Sequence, residues 1–201
     1  MRLVADDVYL LRGFPKEAIN VYLVGDVLID AGTTLAQRRI LRQIETREVN
    51  AHALTHAHPD HFGSSHAICS KLGIPFWAPA GDADDVEAGR VTPASKFAAM
   101  LPAPPAHPVD RRLKEGDEVA GFTVLDTPGH SPGHVSFWRE SDRTLICGDV
   151  FWNIQNHLTK PADPVTVDPE QNKQSMERLR QLNPSLTLFG HGPPKRDGLS
   201  A

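Results

Sequence analysis

Apolar residues along this chain fall into short runs rather than long stripes. Val8 to Leu11, Ile19 to Val24 and Val27 to Ile29 read as strands, and Gly25-Asp26 between the last two is a hairpin-type turn signal. The opening segment, Met1 to Gly13, also reads as strand. From Leu35 to Arg47 the pattern changes. Leu35, Ile40, Leu41 and Ile44 fit an amphipathic helix. Ala51 to Leu54 is a brief strand, Ser64 to Leu72 a helix stopped by Gly73, and Ile74 to Ala78 another strand. Phe122 to Leu125, Val135 to Trp138 and Thr144 to Cys147 follow as strands. Pro169 to Leu182 predicts a helix with Met176, Leu179 and Leu182 on one side, and Leu186 to Phe189 predicts a last strand. Strands then a helix, twice over, predict sheets covered by helices in one α/β domain over residues 1–201.

Ala80 to Val109 breaks the pattern. It holds Pro93, Pro102, Pro104, Pro105 and Pro108, with one short helix expected around Ser95 to Met100. It reads as a long irregular crossover, and long loops in compact domains tend to be functional, so it is a candidate substrate lid.

Composition narrows the class. The 201 residues amount to about one domain at roughly 150 residues each, and 40% apolar content is too high for a disordered chain. Lys plus Arg is 21 against 25 for Asp plus Glu, a net charge of −4, which argues against broad nucleic-acid binding. No run of 18 apolar residues exists, and Asp6 and Asp7 interrupt any signal-peptide core, so no membrane partner is expected. The only cysteines, Cys69 and Cys147, make no disulfide framework, which predicts a reducing, cytoplasmic location.

The unusual count is ten histidines. Three of them share six residues with an aspartate, in His56-Ala57-His58-Pro59-Asp60-His61. At a strand end, residues two apart point the same way, so His56 and His58 can bind one ion. The chain turns at Pro59, and Asp60 and His61 can serve a second position. Imidazole and carboxylate suit Zn, Fe or Mn. The competing reading is a polar loop that is histidine-rich by chance. His130, Asp149 and His191 each follow a glycine just beyond a strand. Any one alone could be a turn residue. Together with the His56 cluster they point to one rim of a site.

These motifs resemble the metallo-β-lactamase-fold superfamily. The resemblance rests on Thr55-His56-Ala57-His58-Pro59-Asp60-His61, Thr127-Pro128-Gly129-His130-Ser131-Pro132-Gly133-His134, Gly148-Asp149, Gly190-His191-Gly192 and the early Leu28-Ile29-Asp30-Ala31-Gly32. It runs in order from about residue 8 to residue 193, is highly specific for fold and metal site, and is weak for substrate. It implies a four-layer αββα sandwich with two divalent metal ions, zinc first, iron or manganese otherwise. Carried over, His56, His58 and His130 hold one ion, Asp60, His61 and His191 the other, and Asp149 bridges them. Asp30 is expected to hydrogen-bond beneath the site, and His134 to have a supporting role.

The implied chemistry is hydrolysis. Two ions sharing a water lower its pKa from about 15.7 to about 7, giving a hydroxide nucleophile at neutral pH. Asp60 is then both ligand and proton shuttle. A small-molecule thioester, ester or lactone is the expected substrate. The chain resembles the catalytic domain of glyoxalase II (hydroxyacylglutathione hydrolase). It ends ten residues after His191, without that enzyme's C-terminal helical domain, so a glutathione thioester is not implied. Lactonases of the superfamily use a tyrosine between the bridging Asp and the last His; here the only tyrosines are Tyr9 and Tyr22. Some true β-lactamases carry Cys where Asp149 stands, and nuclease members usually carry an extra domain and a basic surface. Mononuclear-iron persulfide dioxygenases of the same fold are the alternative. A non-catalytic domain that had lost its metals would need a broken ligand set, and all seven residues are present. Oligomeric state is not readable.

Other residues invite readings of their own. Phe151, Trp152 and Asn153 follow Asp149 and could line a pocket or simply pack in the core. The Phe151 to Val167 stretch shows no period. His157 is expected on an exposed loop, and His52, His66 and His107 as structural or exposed residues. Cys147 and Cys69 are expected buried and inert, and Lys195 and Arg196 in a solvated tail.

Overall fold

The computed structural model describes residues 1–91 and 104–199. Seven strands form the first sheet, in sequence order: β1 (Arg2–Ala5), β2 (Val8–Leu10), β3 (Tyr22–Val24), β4 (Val27–Ile29), β5 (Ala51–Ala53), β6 (Phe76–Pro79) and β7 (Arg111–Leu113). β1 to β4 form an antiparallel meander, and β4 to β7 run parallel. The second sheet contains β8 (Glu118–Val119), β9 (Phe122–Asp126), β10 (Val135–Arg139), β11 (Thr144–Gly148), β14 (Leu186–Phe189) and β15 (Lys195–Arg196), in the order β15-β14-β11-β10-β9-β8. A separate hairpin pairs β12 (Trp152–Ile154) with β13 (His157–Thr159).

Side-chain alternation sorts residues into layers. On β3 and β4, Tyr22, Val24, Val27 and Ile29 face the second sheet, meeting Phe122, Val124, Phe137 and Ile146. Leu23 and Leu28, one residue out of phase, pack outward against Ile40 and Ile44 of helix α1 (Gln37–Ile44) and Ile68 of α3 (Ser65–Leu72). These central strands are therefore buried on both faces, which is why they read as unbroken apolar runs. Helix α5 (Pro169–Gln181) covers the other side, with Met176 and Leu179 against Leu145, Cys147 and Phe151. The result is the expected helix–sheet–sheet–helix sandwich.

The helix ends follow from local chemistry. Asp168 accepts N–H bonds from Glu170 and Gln171, and Pro169 opens α5 with no N–H to lose. Gly73 ends α3 at φ 67°, donating to the Cys69 carbonyl. α1 is shorter than its apolar spacing suggested: Leu35 lies before it and is 90% exposed.

Several expectations need correction. The N-terminal strand is a hairpin, folding back at Asp6 and Asp7. Ala80 to Val109 is not wholly irregular, because α4 (Ala83–Glu87) lies inside it. The helix expected at Ser95 to Met100, and the central part of the candidate lid, lie outside the described residues. The Phe151 to Val167 stretch contains β12, β13 and a 3-10 turn at Asp163–Val165. Lys195 and Arg196 are not a free tail but pair with β14. Elements of two to five residues carry too little periodicity to be read. Among the described residues, no helix is long and apolar enough to cross a membrane.

Candidate metal centre

The segments that follow β5, β9, β11 and β14 meet at one edge of the sandwich and bring all seven expected residues together. His56 and His58 lie just beyond β5. Asp60 and His61 sit on the single turn of α2 (Pro59–Phe62), which Pro59 opens. His130, Asp149 and His191 follow β9, β11 and β14. They form three overlapping groups: His56/His58/His130, His56/His61/Asp149 and Asp60/His61/His191, each with ligand atoms within 4.8 Å of one another.

The first group is nearly sealed. His56, His58 and His130 are 0%, 6% and 1% exposed, and the Nε2 of each has no hydrogen-bond partner. Burying three unpartnered polar atoms in one place is costly unless something satisfies them. The donor set fits a divalent cation of the zinc, iron or manganese type. Burial pushes all three imidazoles below their ordinary pKa, which keeps their lone pairs free.

The second group is more polar. His191 Nε2 lies 3.0 Å from Asp149 Oδ2 and 3.3 Å from Asp60 Oδ2, and His61 Nε2 lies 3.5 Å from Asp149 Oδ1. Burial opposes charge on His61, but the carboxylates of Asp149, Asp60 and Asp30 lift it to about 9. Against the same opposition, Asp149 and Asp60 raise His191. Burial would raise Asp149 and Asp60, yet His61 and His191 hold both carboxyls below their usual range. The imidazoles of His61 and His191 and the carboxylates of Asp60 and Asp149 thus neutralise one another beside the three neutral imidazoles of the first group.

The outer ring nitrogens are held from behind, as metal-ligating histidines generally are. His61 Nδ1–H donates to Asp30 Oδ2 at 2.8 Å. His56 Nδ1–H donates to Thr55 Oγ1 at 2.9 Å, and the Thr55 hydroxyl donates in turn to Asp30 Oδ2 at 2.9 Å. His191 Nδ1–H donates to the Ala18 carbonyl, and His130 Nδ1 faces Thr166 Oγ1 at 3.4 Å. Asp30 therefore hydrogen-bonds beneath the site, as expected, and does so from a left-handed backbone (φ 61°) that is strained for a non-glycine residue. His134 supports Asp149: its Nε2 accepts the Asp149 N–H at 2.9 Å, and its Nδ1–H donates to Thr127 Oγ1. Burial drops His134 to about 3, so it stays neutral, as that bond requires.

Two glycines make room. A Cβ on Gly190 would overlap Asp149 Oδ1, and one on Gly148, at φ 52°, would come within 2.6 Å of His134 Nε2.

Two residues matter more than the sequence suggested. Asp82, buried beyond β6, accepts from the Ala57 N–H (2.9 Å), the Ser131 hydroxyl (2.6 Å) and the Gly133 N–H (2.6 Å). It ties the His56 segment to the His130 segment. The available signal was Gly81-Asp82 after a strand, the same dipeptide as Gly148-Asp149. Trp152 sits at the rim of the centre, its indole N–H donating to Asp149 Oδ2 at 2.8 Å. Phe151 is core and Asn153 is buried, so of the three only Trp152 and Asn153 reach the cavity beside His191. His157 is exposed, and His66 and His107 face each other at 3.2 Å on the surface. His52 is buried, bonded to the Leu28 carbonyl and Ser65. Both cysteines are buried.

Known proteins resemble this chain. The model of the metallo-beta-lactamase superfamily matches residues 15–191. A probable metallo-hydrolase, YflN of Bacillus subtilis, is 28% identical over 92% of this chain and 84% of its own length. A hydroxyacylglutathione hydrolase of Bdellovibrio bacteriovorus is 28% identical over 68% of this chain, a match that spans only 46% of that protein. Among solved structures, TTHA1623 in a di-iron-bound form superimposes with a TM-score of 0.67 at 31% identity, covering 94% of this chain and 88% of that one. The chain belongs to the metallo-beta-lactamase superfamily and is, at the level of that family, a metallo-hydrolase.

Proposed function

We propose that the chain hydrolyses a small ester, thioester or lactone at a centre of two divalent metal ions. His56, His58 and His130 would hold one ion, Asp60, His61 and His191 the other, and Asp149 would lie between them. The observation that carries this reading is the trio of buried, unpartnered Nε2 atoms on His56, His58 and His130. Bound ions would supply a water of lowered pKa and polarise the substrate's carbonyl oxygen.

The chain's own residues do the rest. Asp60 is the carboxylate of the set that reaches solvent, its side chain 28% exposed against 2% for Asp149. Its Oδ2 takes the proton lost as water adds to the acyl carbon, and returns it to the oxygen or sulfur that leaves when the old acyl bond breaks. A cavity of about 330 Å³ beside His191, walled by Trp152, Ala18, Ile154 and Pro193, suits a compact substrate with an apolar portion. The hydroxyacylglutathione hydrolases support acyl chemistry, and the di-iron neighbour leaves iron beside zinc as the resident metal.

The test begins with elemental mass spectrometry on protein purified without a histidine tag, followed by thioester, lactone and ester panels. About two ions per chain and hydrolysis of one class are expected. Asp149→Ala or His58→Ala should lose most of the metal and nearly all activity. A fully active variant of either overturns the mechanism. About one iron per chain, with oxygen uptake on a persulfide, would replace it with thiol oxidation.

A further inference from the structure

One side chain touches a member of each ligand group. The Trp152 ring meets His191 edge-on with centroids 5.0 Å apart, meets His130 at 6.5 Å, and donates its N–H to Asp149 Oδ2 at 2.8 Å. His130, Asp149 and His191 come from different groups and from three different strand ends. We propose that Trp152 is the positioning residue of the metal centre: it fixes the rotation of the Asp149 carboxylate and so sets how tightly the pair of ions is held.

The geometry of Asp149 gives the reason. Its backbone is pinned by the bond from its N–H to His134. The rotation of the carboxylate about its side-chain torsions is set by what its two oxygens meet. Oδ2 accepts the indole N–H at 2.8 Å and lies 3.0 Å from His191 Nε2, while Oδ1 has no hydrogen-bond partner and lies 3.5 Å from His61 Nε2; of these neighbours only the indole is outside the seven candidate ligands. A charge-assisted bond to one oxygen fixes the plane of the group and leaves the other oxygen's lone pairs available to a cation. Gly190 keeps the space around Oδ1 clear. The indole is itself held. Trp152 pairs with Thr159 across the β12–β13 hairpin, and the next residue, Asn153, is tied by its N–H to the His191 carbonyl (3.0 Å) and by its side chain to the Pro193 carbonyl (2.7 Å). The hairpin thus fastens to the His191 segment and delivers one N–H to the carboxylate between the groups. Its first strand forms a wall of the cavity beside His191.

The inference rests on the metal-centre reading, and its test separates the two. Two variants remove the donor: Trp152→Phe, which also shrinks the ring, and replacement of the Trp152 indole by 3-benzothienyl-alanine, which keeps the ring shape and puts sulfur where the N–H was. Zinc affinity is measured by chelator competition, and folding of the metal-free protein by urea. Loss of an outer hydrogen-bond partner typically costs 10–100-fold in metal affinity. Both variants should therefore release the weaker ion at least about tenfold more readily, with the isostere's urea midpoint unchanged. In 15N spectra of the wild type, the indole cross-peak that Trp152→Phe deletes should move when zinc is added. If both variants hold two zinc ions with wild-type affinity, this inference alone falls. If only Trp152→Phe weakens binding, ring packing and not the N–H is responsible, and the inference falls again. If the wild type holds no ion, the metal-centre reading falls and takes the inference with it.

Discussion

Asp82→Ala is the sharpest probe of how the edge of the sandwich is held together. The carboxylate accepts three donors from two segments: the Ala57 N–H between His56 and His58, and the Ser131 hydroxyl and Gly133 N–H just after His130. Ala57 and Ser131 are fully buried, so water cannot replace the lost acceptor there. Each buried donor left unpaired costs about 1–3 kcal/mol. Gly133 is partly exposed and can turn to solvent. An opposing effect returns part of the loss, since burial outweighs the three donors and holds the Asp82 carboxyl above its usual pKa. The ion is itself expensive to bury. The net cost is then about 2–3 kcal/mol, a substantial part of the 5–15 kcal/mol of a typical domain. Urea unfolding of the metal-free protein reads it directly, and zinc content on reloading reads the consequence for the centre. Asp82→Asn should fall between, because the amide keeps an acceptor on one side and sets an N–H against a donor on the other. An Asp82→Ala protein within about 0.5 kcal/mol of wild type, with full zinc content, would refute the claim that this carboxylate joins the two segments.

Three further outcomes follow from the same contacts. Burial lowers His52 from 6.5 to about 4, so the folded state takes up its proton later than the unfolded chain; the stability this gives is complete above pH 6.5 and is lost as pH falls toward 4. The loss is about 3 kcal/mol at 1.36 kcal/mol per unit, and His52→Asn should flatten the urea-midpoint profile across that window. Gly190→Ala should fold poorly or lose metal, since its Cβ would occupy the place of Asp149 Oδ1; an alanine variant with full zinc content would remove Gly190 from the argument. Cys147→Ser should cost about 1–2 kcal/mol for a buried hydroxyl while zinc content stays at the wild-type level, and a loss of metal would show that the thiol belongs to the centre.

The seven residues that cluster at the edge of the sandwich were legible in the sequence because they sit near glycines and prolines at strand ends. His58-Pro59-Asp60 marks the turn that divides the groups, and Gly148-Asp149 and Gly190-His191 mark close backbone approach. The β3–β4 hairpin was legible at Gly25-Asp26, where Gly25 has φ 55° and two residues join the strands. What escaped reading depends on tertiary contact. Asp82 lies inside a segment whose prolines suggested irregularity, and only the fold brings it against Ala57 and Ser131. β15 is two residues long and exists because β14 offers it an edge. Trp152 follows Asp149 so closely that core packing and a cavity wall looked alike. Its bond back to Asp149 depends on the β12–β13 hairpin, which has no periodic signature.

The layout separates two demands that compete in many sites. The candidate ligands lie on short segments braced by buried, mostly uncharged groups: Thr55 behind His56, Thr166 behind His130, neutral His134 behind Asp149. The substrate side is built from other pieces, the Lys16–Ala18 stretch and the β12–β13 hairpin. A fold organised this way can change its substrate walls while keeping its centre. In this chain the two are joined at two points. The Ala18 carbonyl holds His191, and the indole of Trp152 holds Asp149, so two wall segments also steady the candidate ligands. Ile154, 45% exposed, carries no such duty toward the seven residues among the described contacts, and its side chain is the position where the cavity should be open to reshaping without loosening a bound ion.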